Sequence, residues 1–324
     1  MGGGGRFAAA VGPSLGSLVV QTIGWPRAFL INLPIGALTL WRGAALLSES
    51  TASGPRRRLD LVGIGLLVVA VGAVALAIVV SDSPAWTRAE IGIVGGAGAL
   101  ALVAFVAWAH TAREPLVDLD LFRNRTYSAV NAATLAFGIA FAMMFFAFFF
   151  YMNQVWHYSQ ARAGIAIAPG PLTVVPVAIV TGRLAGRFGH RPFLVGGALL
   201  YAAAGLWFLL VPGHDPAYAT QWLPGLLASG AAVGLVLPSL SGAAVSGLPS
   251  THYAVGSAVQ QATRQIGAVI GVALTVLLLG DGAVTRSAFD GVYTTHIALA
   301  LLTALLCLFV STRPAGRRVL SSDA

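Results

Sequence analysis

The chain has 324 residues, of which 57% are hydrophobic and 9% are charged, with a mean hydropathy of +0.83 and a formal net charge of +8. Soluble domains carry about 25% charged and about 45–50% apolar residues, so this composition excludes an ordinary soluble fold and predicts a polytopic membrane protein. The arginines are dispersed between apolar runs, which argues against nucleic acid as a partner, and the single cysteine, Cys307, excludes an intrachain disulfide and a cysteine-cluster metal site.

Ten apolar runs are long enough to cross a bilayer, because a hydrocarbon core about 30 Å thick needs about 20 helical residues. They lie near residues 5–23, 28–47, 61–80, 91–109, 128–152, 163–181, 192–212, 222–241, 254–280 and 293–311. We therefore expect an all-α polytopic fold with about ten transmembrane helices, embedded in the lipid bilayer. A signal peptide over residues 1–23 is an alternative, which the closely following second run disfavours.

The arginines predict the orientation, because cytoplasmic loops of membrane proteins collect basic residues. With a cytoplasmic C-terminus, the inner segments hold Arg56, Arg57, Arg58, Arg113, Arg123, Arg125, Arg183, Arg187, Arg191, Arg313, Arg317 and Arg318. The outer segments then hold only Arg27, Arg88, Arg162 and Arg286. This bias predicts a multi-pass protein of the plasma membrane with a cytoplasmic tail.

Two polar segments separate groups of runs on the expected inner side. Residues 48–60 form a basic linker interrupted by glycine and proline. Residues 110–127 alternate charged and apolar side chains, which suits either an amphipathic segment on the inner membrane surface or a solvated loop.

The stretch VGPSLGSLVVQTIGWPRAFLINLP contains Gly12, Pro13 and Gly16 within the first apolar run. Proline bends a helix, and glycines four residues apart share a face that another helix can approach closely. The stretch is similar to the antiporter motif, Gly-Pro-x-x-Gly-Gly, of the drug:proton antiporters of the major facilitator superfamily, although Ser17 replaces the second glycine. Ordinary packing of small residues is the alternative.

The stretch GRLAGRFGHRP combines three glycines, which allow tight turns, with three arginines on the expected inner side. It resembles the cytoplasmic loop signature of the same superfamily, which implies a gating loop, although Gly186 stands where family members usually have Asp. The residues of this predicted loop are Gly182, Arg183, Gly186, Arg187, Gly189 and Arg191. Simple positive-inside topology explains the arginines equally well.

A polar stripe interrupts one of the last apolar runs, in the stretch VQQATRQIG. Arg264 lies about ten residues into this run, and an arginine in the middle of a membrane costs about 2.5–3.5 kcal/mol, so it should face a cavity or a partner. Aromatic rings that precede Gln154 offer flat apolar surfaces and cation–π contacts. The candidate substrate residues are Gln154, Gln260, Gln261, Arg264, Gln265, Phe145 and Phe149. Backbone carbonyls around Arg264, and rings that face lipid or another helix, are the alternatives.

No carboxylate lies deep in a predicted run, and the histidines at 110, 157, 190, 214, 252 and 296 are expected at or near span ends. The sequence contains no phosphate-binding Gly-x-x-x-x-Gly-Lys-Ser/Thr motif and no zinc-protease His-Glu-x-x-His motif. We therefore expect neither an enzyme nor a bound cofactor or metal.

The resemblance covers the chain from Gly12 to about Arg313, in family order, and matches helices five to fourteen of the fourteen-helix drug:proton antiporter branch. It implies the last two helices of an N-terminal half at 1–47, two extra helices at 61–109, a complete six-helix C-terminal half at 128–311 and a tail at 312–324. Four further helices would precede Met1.

The resemblance implies efflux of small lipophilic or cationic drugs, driven by the proton-motive force without a cofactor. Because a half-bundle and a buried acid are missing, we expect this chain alone to transport nothing. Two alternatives remain: a non-transporting membrane partner that a separate N-terminal piece completes, and a ten-helix permease with another mechanism.

Overall fold

The computed structural model describes residues 32–46, 60–81, 85–112, 119–249, 252–280 and 285–312, together with the single residues 30, 83 and 117. The regular structure of these residues is helical, and no strand occurs among them. The predicted all-α fold class is thereby confirmed.

Ten α-helices follow one another within the described ranges. They are α1 (Asn32–Leu46), α2 (Leu61–Val79), α3 (Arg88–Thr111), α4 (Arg125–Phe150), α5 (Gln160–Ile167), α6 (Pro169–Phe188), α7 (Arg191–Leu210), α8 (Leu223–Ser246), α9 (Tyr253–Leu279) and α10 (Ala288–Cys307). A π-helical turn, Tyr151–Val155, continues α4, and another, Tyr218–Trp222, leads into α8. Only Ala168 separates α5 from α6, so these two helices form one membrane-length segment.

Eight of the described segments are long and apolar enough to cross a membrane, and they coincide with the last eight predicted runs. The second predicted run, 28–47, contains α1, which has 15 residues and is shorter than a full span. The first predicted run, 5–23, lies outside the described residues, as do the linker over 48–59 and the tail from residue 313.

Local sequence signals explain where several helices begin. The side chain of Asn124 accepts hydrogen bonds from the backbone N–H groups of Thr126 (3.0 Å) and Tyr127 (3.2 Å) at the start of α4. Thr87 and Glu90 form a reciprocal capping box at the start of α3. Such caps satisfy backbone donors that have no partner within the helix.

The helices from α4 to α10 pack into a bundle with a shared core. α4 packs against α9 and α10, α8 packs against α6 and α7, and α7 packs against α10. Towards one end, the buried Trp222 ring meets four other aromatic rings at centroid distances between 4.9 and 5.5 Å: Phe148, Tyr151, Trp156 and Phe208. This bundle agrees with a partial major facilitator fold, whereas the predicted domain boundaries remain predictions.

α2 and α3 form a hairpin at the side of the bundle, where α2 contacts α9. Gly98 of α3 lies so close to α2 that a Cβ atom at this position would be 3.0 Å from the backbone nitrogen of Val74. Apolar side chains on the outer faces of the hairpin, such as Val68 and Leu100, are exposed. Such a surface suits contact with lipid.

The segment between α3 and α4 packs partly against the bundle. Its described residues include a short 3-10 helix, Leu119–Arg123, in which Leu121 is buried. Leu121 shares a small apolar cluster with Tyr127, Leu248 and Val259. This part of the predicted 110–127 segment is therefore held by protein contacts and is not simply a solvated loop.

Candidate functional site

A cavity of about 910 Å³ lies between α4, α6, α8 and α9, with Ile167 of α5 and Tyr201 of α7 in its wall. Pockets for small organic molecules usually measure about 300–1,000 Å³ and are mostly apolar with a few polar groups. The cavity is the obvious candidate site of the bundle. The lining residues are Phe141, Met144, Phe145, Phe148, Ile167, Gly170, Pro171, Val174, Ala178, Tyr201, Leu226, Ser229, Gly230, Val233, Leu237, Pro238, Ser241, Gln261 and Arg264.

Aromatic rings of α4 form one wall of this cavity. Residues four apart on a helix lie on the same face, and here Phe141 and Phe145 stack with centroids 6.2 Å apart and an interplanar angle of 17°. Phe149 continues the row with an edge-to-face contact to Phe145 at 5.7 Å. Phe141 and Phe145, which both line the cavity, offer apolar ring surfaces to a bound molecule.

Among the described residues that line the cavity, Arg264 of α9 carries the charged side chain. Its Nε atom donates a hydrogen bond to Gln261 Oε1 at 3.3 Å, one turn earlier on the same helix. Within the described part of the chain, no carboxylate pairs with Arg264 and no backbone carbonyl accepts a hydrogen bond from it. The interpretation that backbone carbonyls hold this arginine is therefore not supported.

A smaller cleft of about 170 Å³ also has Arg264 in its wall. It shares Phe141, Phe145 and Leu237 with the larger cavity, and it adds Gln265. Arg264 thus borders two neighbouring spaces along the α4–α9 contact.

A family model of the Major Facilitator Superfamily matches residues 1–272 and, in a second match, residues 130–324. The chain belongs to the Major Facilitator Superfamily. This membership confirms the resemblance found in the sequence.

Several relatives align with more than four-fifths of this chain. It is 32% identical to the multidrug resistance protein Stp of Mycobacterium tuberculosis over 81% of the chain and 48% of that protein. It is 28% identical to the methylenomycin A resistance protein of Bacillus subtilis, over 84% of the chain and 58% of that protein. It is 28% identical to the multidrug export protein EmrB of Escherichia coli, over 82% of the chain and 52% of that protein. The chain spans about half the length of the curated relatives it matches.

The seven predicted substrate residues of this superfamily member occupy different environments. Phe145, Gln261 and Arg264 line the larger cavity, and Gln265 lines the smaller cleft. Phe149 touches Phe145 without lining either space. Their role in binding stays a prediction.

Two of the seven lie away from both spaces. Gln260 is buried, and its Nε2 atom donates to Thr134 Oγ1 at 3.3 Å, so it joins α9 to α4. Gln154 is exposed in the π-helical turn after α4.

The predicted gating loop is mostly helical, which corrects the expected boundary of α6. Gly182, Arg183, Gly186 and Arg187 are all exposed residues of α6, which extends to Phe188 and not only to residue 181. The backbone hydrogen bonding of α6 continues beyond the end of the apolar run, because charged side chains can point outward from the same helix. Their role in gating stays a prediction.

Of Gly182, Gly186 and Gly189, which were expected to allow tight turns, only Gly189 lies in a turn, between α6 and α7. Its φ of 79° ends α6, and Arg191 already begins α7. The backbone N–H of His190 donates to Thr312 Oγ1 at 2.9 Å, which ties this link to the chain after α10. Burial lowers the pKa of the His190 imidazole. The residues of the antiporter motif, Gly12, Pro13 and Gly16, lie outside the described residues.

The position expected for His296, at or near a span end, was wrong. α10 begins at Ala288, five residues before the predicted run, so His296 lies in the middle of the helix and is fully buried. Its Nδ1 and Nε2 atoms lie 3.1 Å from the carbonyl oxygens of Ala140 and Tyr201, respectively. The helix can start earlier because Arg286, which lies just before the helix, pairs at 2.7 Å with Asp290 in the first turn.

Sequence reasoning also missed the glycines that position Arg264. A Cβ atom on Gly138 of α4 would lie 2.9 Å from the carbonyl oxygen of Arg264, and one on Gly267 would lie 2.8 Å from that of Leu135. The four-residue spacing of Gly267 and Gly271 is the small-residue pattern of close membrane helix pairs, and it was the available signal.

Proposed function

We propose that this chain forms part of a transporter that exports lipophilic, drug-like molecules. The single observation that carries the proposal is the large cavity, because it has the volume of a small-molecule site and a wall of aromatic rings. The relatives support it, since their names refer to multidrug export or to resistance against an antibiotic. The resemblance predicted lipophilic or cationic substrates, but the positive charge of Arg264 in the cavity wall would repel cationic molecules.

The bundle from α4 to α10 would serve as one half of the transporter. Many secondary transporters bind substrate near the membrane midplane between two halves, which rock to open the site to either side. The residues at 1–47, α1 among them, would belong to the other half, and α2 and α3 would be the extra helix pair between the halves. We propose the proton-motive force as the energy source, without a bound cofactor, as in the drug:proton antiporters of this superfamily.

The arginine distribution supports a plasma-membrane protein whose C-terminus lies in the cytoplasm. Helices α3 and α4 would then be joined on the inner side, and α7 and α8 on the outer side. The prediction that four further helices belong to the transporter stays a prediction, and so does the inactivity of residues 1–324 alone.

The test measures dye transport by the native product of the gene, tagged at its C-terminus and present in everted membrane vesicles. We expect energised vesicles to accumulate the neutral dye Nile red, and a protonophore to abolish the accumulation. Vesicles from a deletion strain are the control, and absence of any difference between the two would contradict the proposal.

A blot of the same membranes measures the size of the tagged product against residues 1–324 expressed alone. A larger native product is expected, together with dye transport by that product and none by the short chain. A native product of the short length that transports dye would contradict the predicted need for further helices, but not the proposed export.

A further inference from the structure

Arg264 and Gln261 provide free hydrogen-bond donors in the described cavity wall. The hydroxyl groups of Ser229 and Ser241 already donate to the carbonyl oxygens of Leu226 (2.8 Å) and Leu237 (3.1 Å) of their own helix, so their oxygens can only accept further hydrogen bonds. The Gln261 side-chain oxygen accepts from Arg264 Nε, which leaves the Gln261 amide N–H₂ group as a further donor. Arg264 keeps both terminal nitrogens, with four N–H bonds, free of any partner in the described part of the chain.

The described part of the cavity wall carries the positive charge of Arg264 without a counter-charge beside it. Arginine remains charged at any physiological pH, and a charge among apolar helices is expensive unless a counter-charge or water meets it. Because no carboxylate is found among the described residues that line the cavity, this part of the wall does not supply the counter-charge. An anionic ligand would supply it, and a planar guanidinium favours carboxylate-like groups through paired hydrogen bonds.

The rest of the wall suits the remainder of such a ligand. Phe141 and Phe145 offer stacked rings that border both the large cavity and the cleft beside Arg264. A flat apolar body can lie on these rings while its acidic group reaches the guanidinium. A lipophilic cation would meet the same rings, but Arg264 would repel it.

We propose that Arg264 makes this cavity a site for acidic, aromatic molecules, in which the guanidinium binds the anionic group and the α4 rings bind the flat body. The inference rests on the proposed function, because it takes the cavity as the substrate site. It narrows the substrates to lipophilic weak acids and other organic anions, and it selects against lipophilic cations.

The test compares two fluorescent probes that differ by one charged group. 1-Anilinonaphthalene-8-sulfonate carries a sulfonate, and N-phenyl-1-naphthylamine is the same ring system without it. Both are titrated into the full chain in phosphatidylcholine nanodiscs, with empty nanodiscs as the blank. For Arg264→Gln we expect the sulfonate probe to bind about tenfold or more weakly, and the neutral probe to change less than about twofold.

Two further variants control the result. Arg88→Gln removes the same charge from an exposed position on α3 and should change neither affinity. Arg264→Lys keeps the charge but loses the paired geometry, so the affinity for the sulfonate probe should fall between those of the wild type and Arg264→Gln. Equal weakening of both probes by Arg264→Gln, or weakening of neither, would overturn the inference.

A measurement on the wild-type chain decides the matter if Arg264→Gln does not fold. Naphthalene-1-sulfonate and the neutral naphthalene-1-sulfonamide compete with the bound neutral probe. We expect the sulfonate to displace it at about tenfold lower concentration, and equal potency would overturn the inference. Because these are binding measurements, loss of dye transport would contradict the proposed function alone.

Discussion

Gly205 of α7 leaves the space that His296 of α10 occupies. A Cβ atom at position 205 would overlap His296 Cδ2 and would lie 2.9 Å from Ile297 Cγ1. The missing side chain thus allows a buried imidazole to reach the carbonyl oxygens of both Tyr201 and Ala140. The absence of a methyl group at position 205 therefore determines how closely α7 and α10 pack.

We expect Gly205→Ala to destabilise the bundle by about 1–3 kcal/mol, because the added methyl group forces the imidazole or α10 to move. The measurement is the midpoint of thermal unfolding of the purified chain in detergent. Gly196→Ala on the same helix is the matched control, since a Cβ atom there meets nothing within 4 Å. An equal effect of the two substitutions would contradict the steric explanation.

The contact between α4 and α9 depends on glycines from both helices. Gly138, Gly267 and Gly271 each face backbone atoms of the opposite helix at distances that a side chain would not allow. Because lipid tails are as apolar as leucine, membrane helices associate through such close packing and not through a hydrophobic driving force between them. The same contact carries Arg264, so packing and the candidate site are linked.

Gly267→Leu should separate α4 from α9, lower the thermal midpoint and displace Arg264 and the phenylalanine row from each other. We therefore expect weaker binding of both the sulfonate and the neutral naphthalene probes, unlike the selective effect of Arg264→Gln. Ala262→Leu, at an exposed position of α9, is the control. If the Gly267→Leu variant binds both probes as tightly as the wild type does, the contact between α4 and α9 does not shape the cavity.

At the scale of the whole molecule, the alternating spans place the α3–α4 and α7–α8 connections at opposite ends of the bundle. Asp120 lies in the first connection and Asp215 in the second, and both are accessible. Cys307, the single cysteine, is buried, so it contributes little background to thiol labelling. Engineered cysteines at the two aspartates can therefore report the orientation.

We expect an impermeant maleimide to label Asp215→Cys in intact cells, and to label Asp120→Cys only after permeabilisation. The reason is that arginines such as Arg123 and Arg125 accompany Asp120, whereas residues 213–221 contain no basic residue apart from His214. Labelling of the two variants with reversed accessibility would contradict the predicted cytoplasmic C-terminus.

The sequence by itself determined the class of protein, the positions of eight membrane-length helices and the superfamily. These properties are local, because the length and hydropathy of a run decide whether it can cross a bilayer. The position of Arg264 beside a cavity was also predictable from the sequence. An arginine within an apolar run should face a cavity or a partner, whichever helices lie around it. Helix ends were less predictable, because the paired charges of Arg286 and Asp290 allowed α10 to begin before its apolar run.

The tertiary structure alone decided which side chains share a space. Gln260 and Gln261 are neighbours in sequence, yet the first joins two helices and the second lines the cavity. Which face of α9 meets α4 depends on glycines of both helices, and the position of His296 depends on Gly205 of a third. Contacts of this kind join residues far apart in the chain, and hydropathy along one run contains no information about the helix that will lie against it.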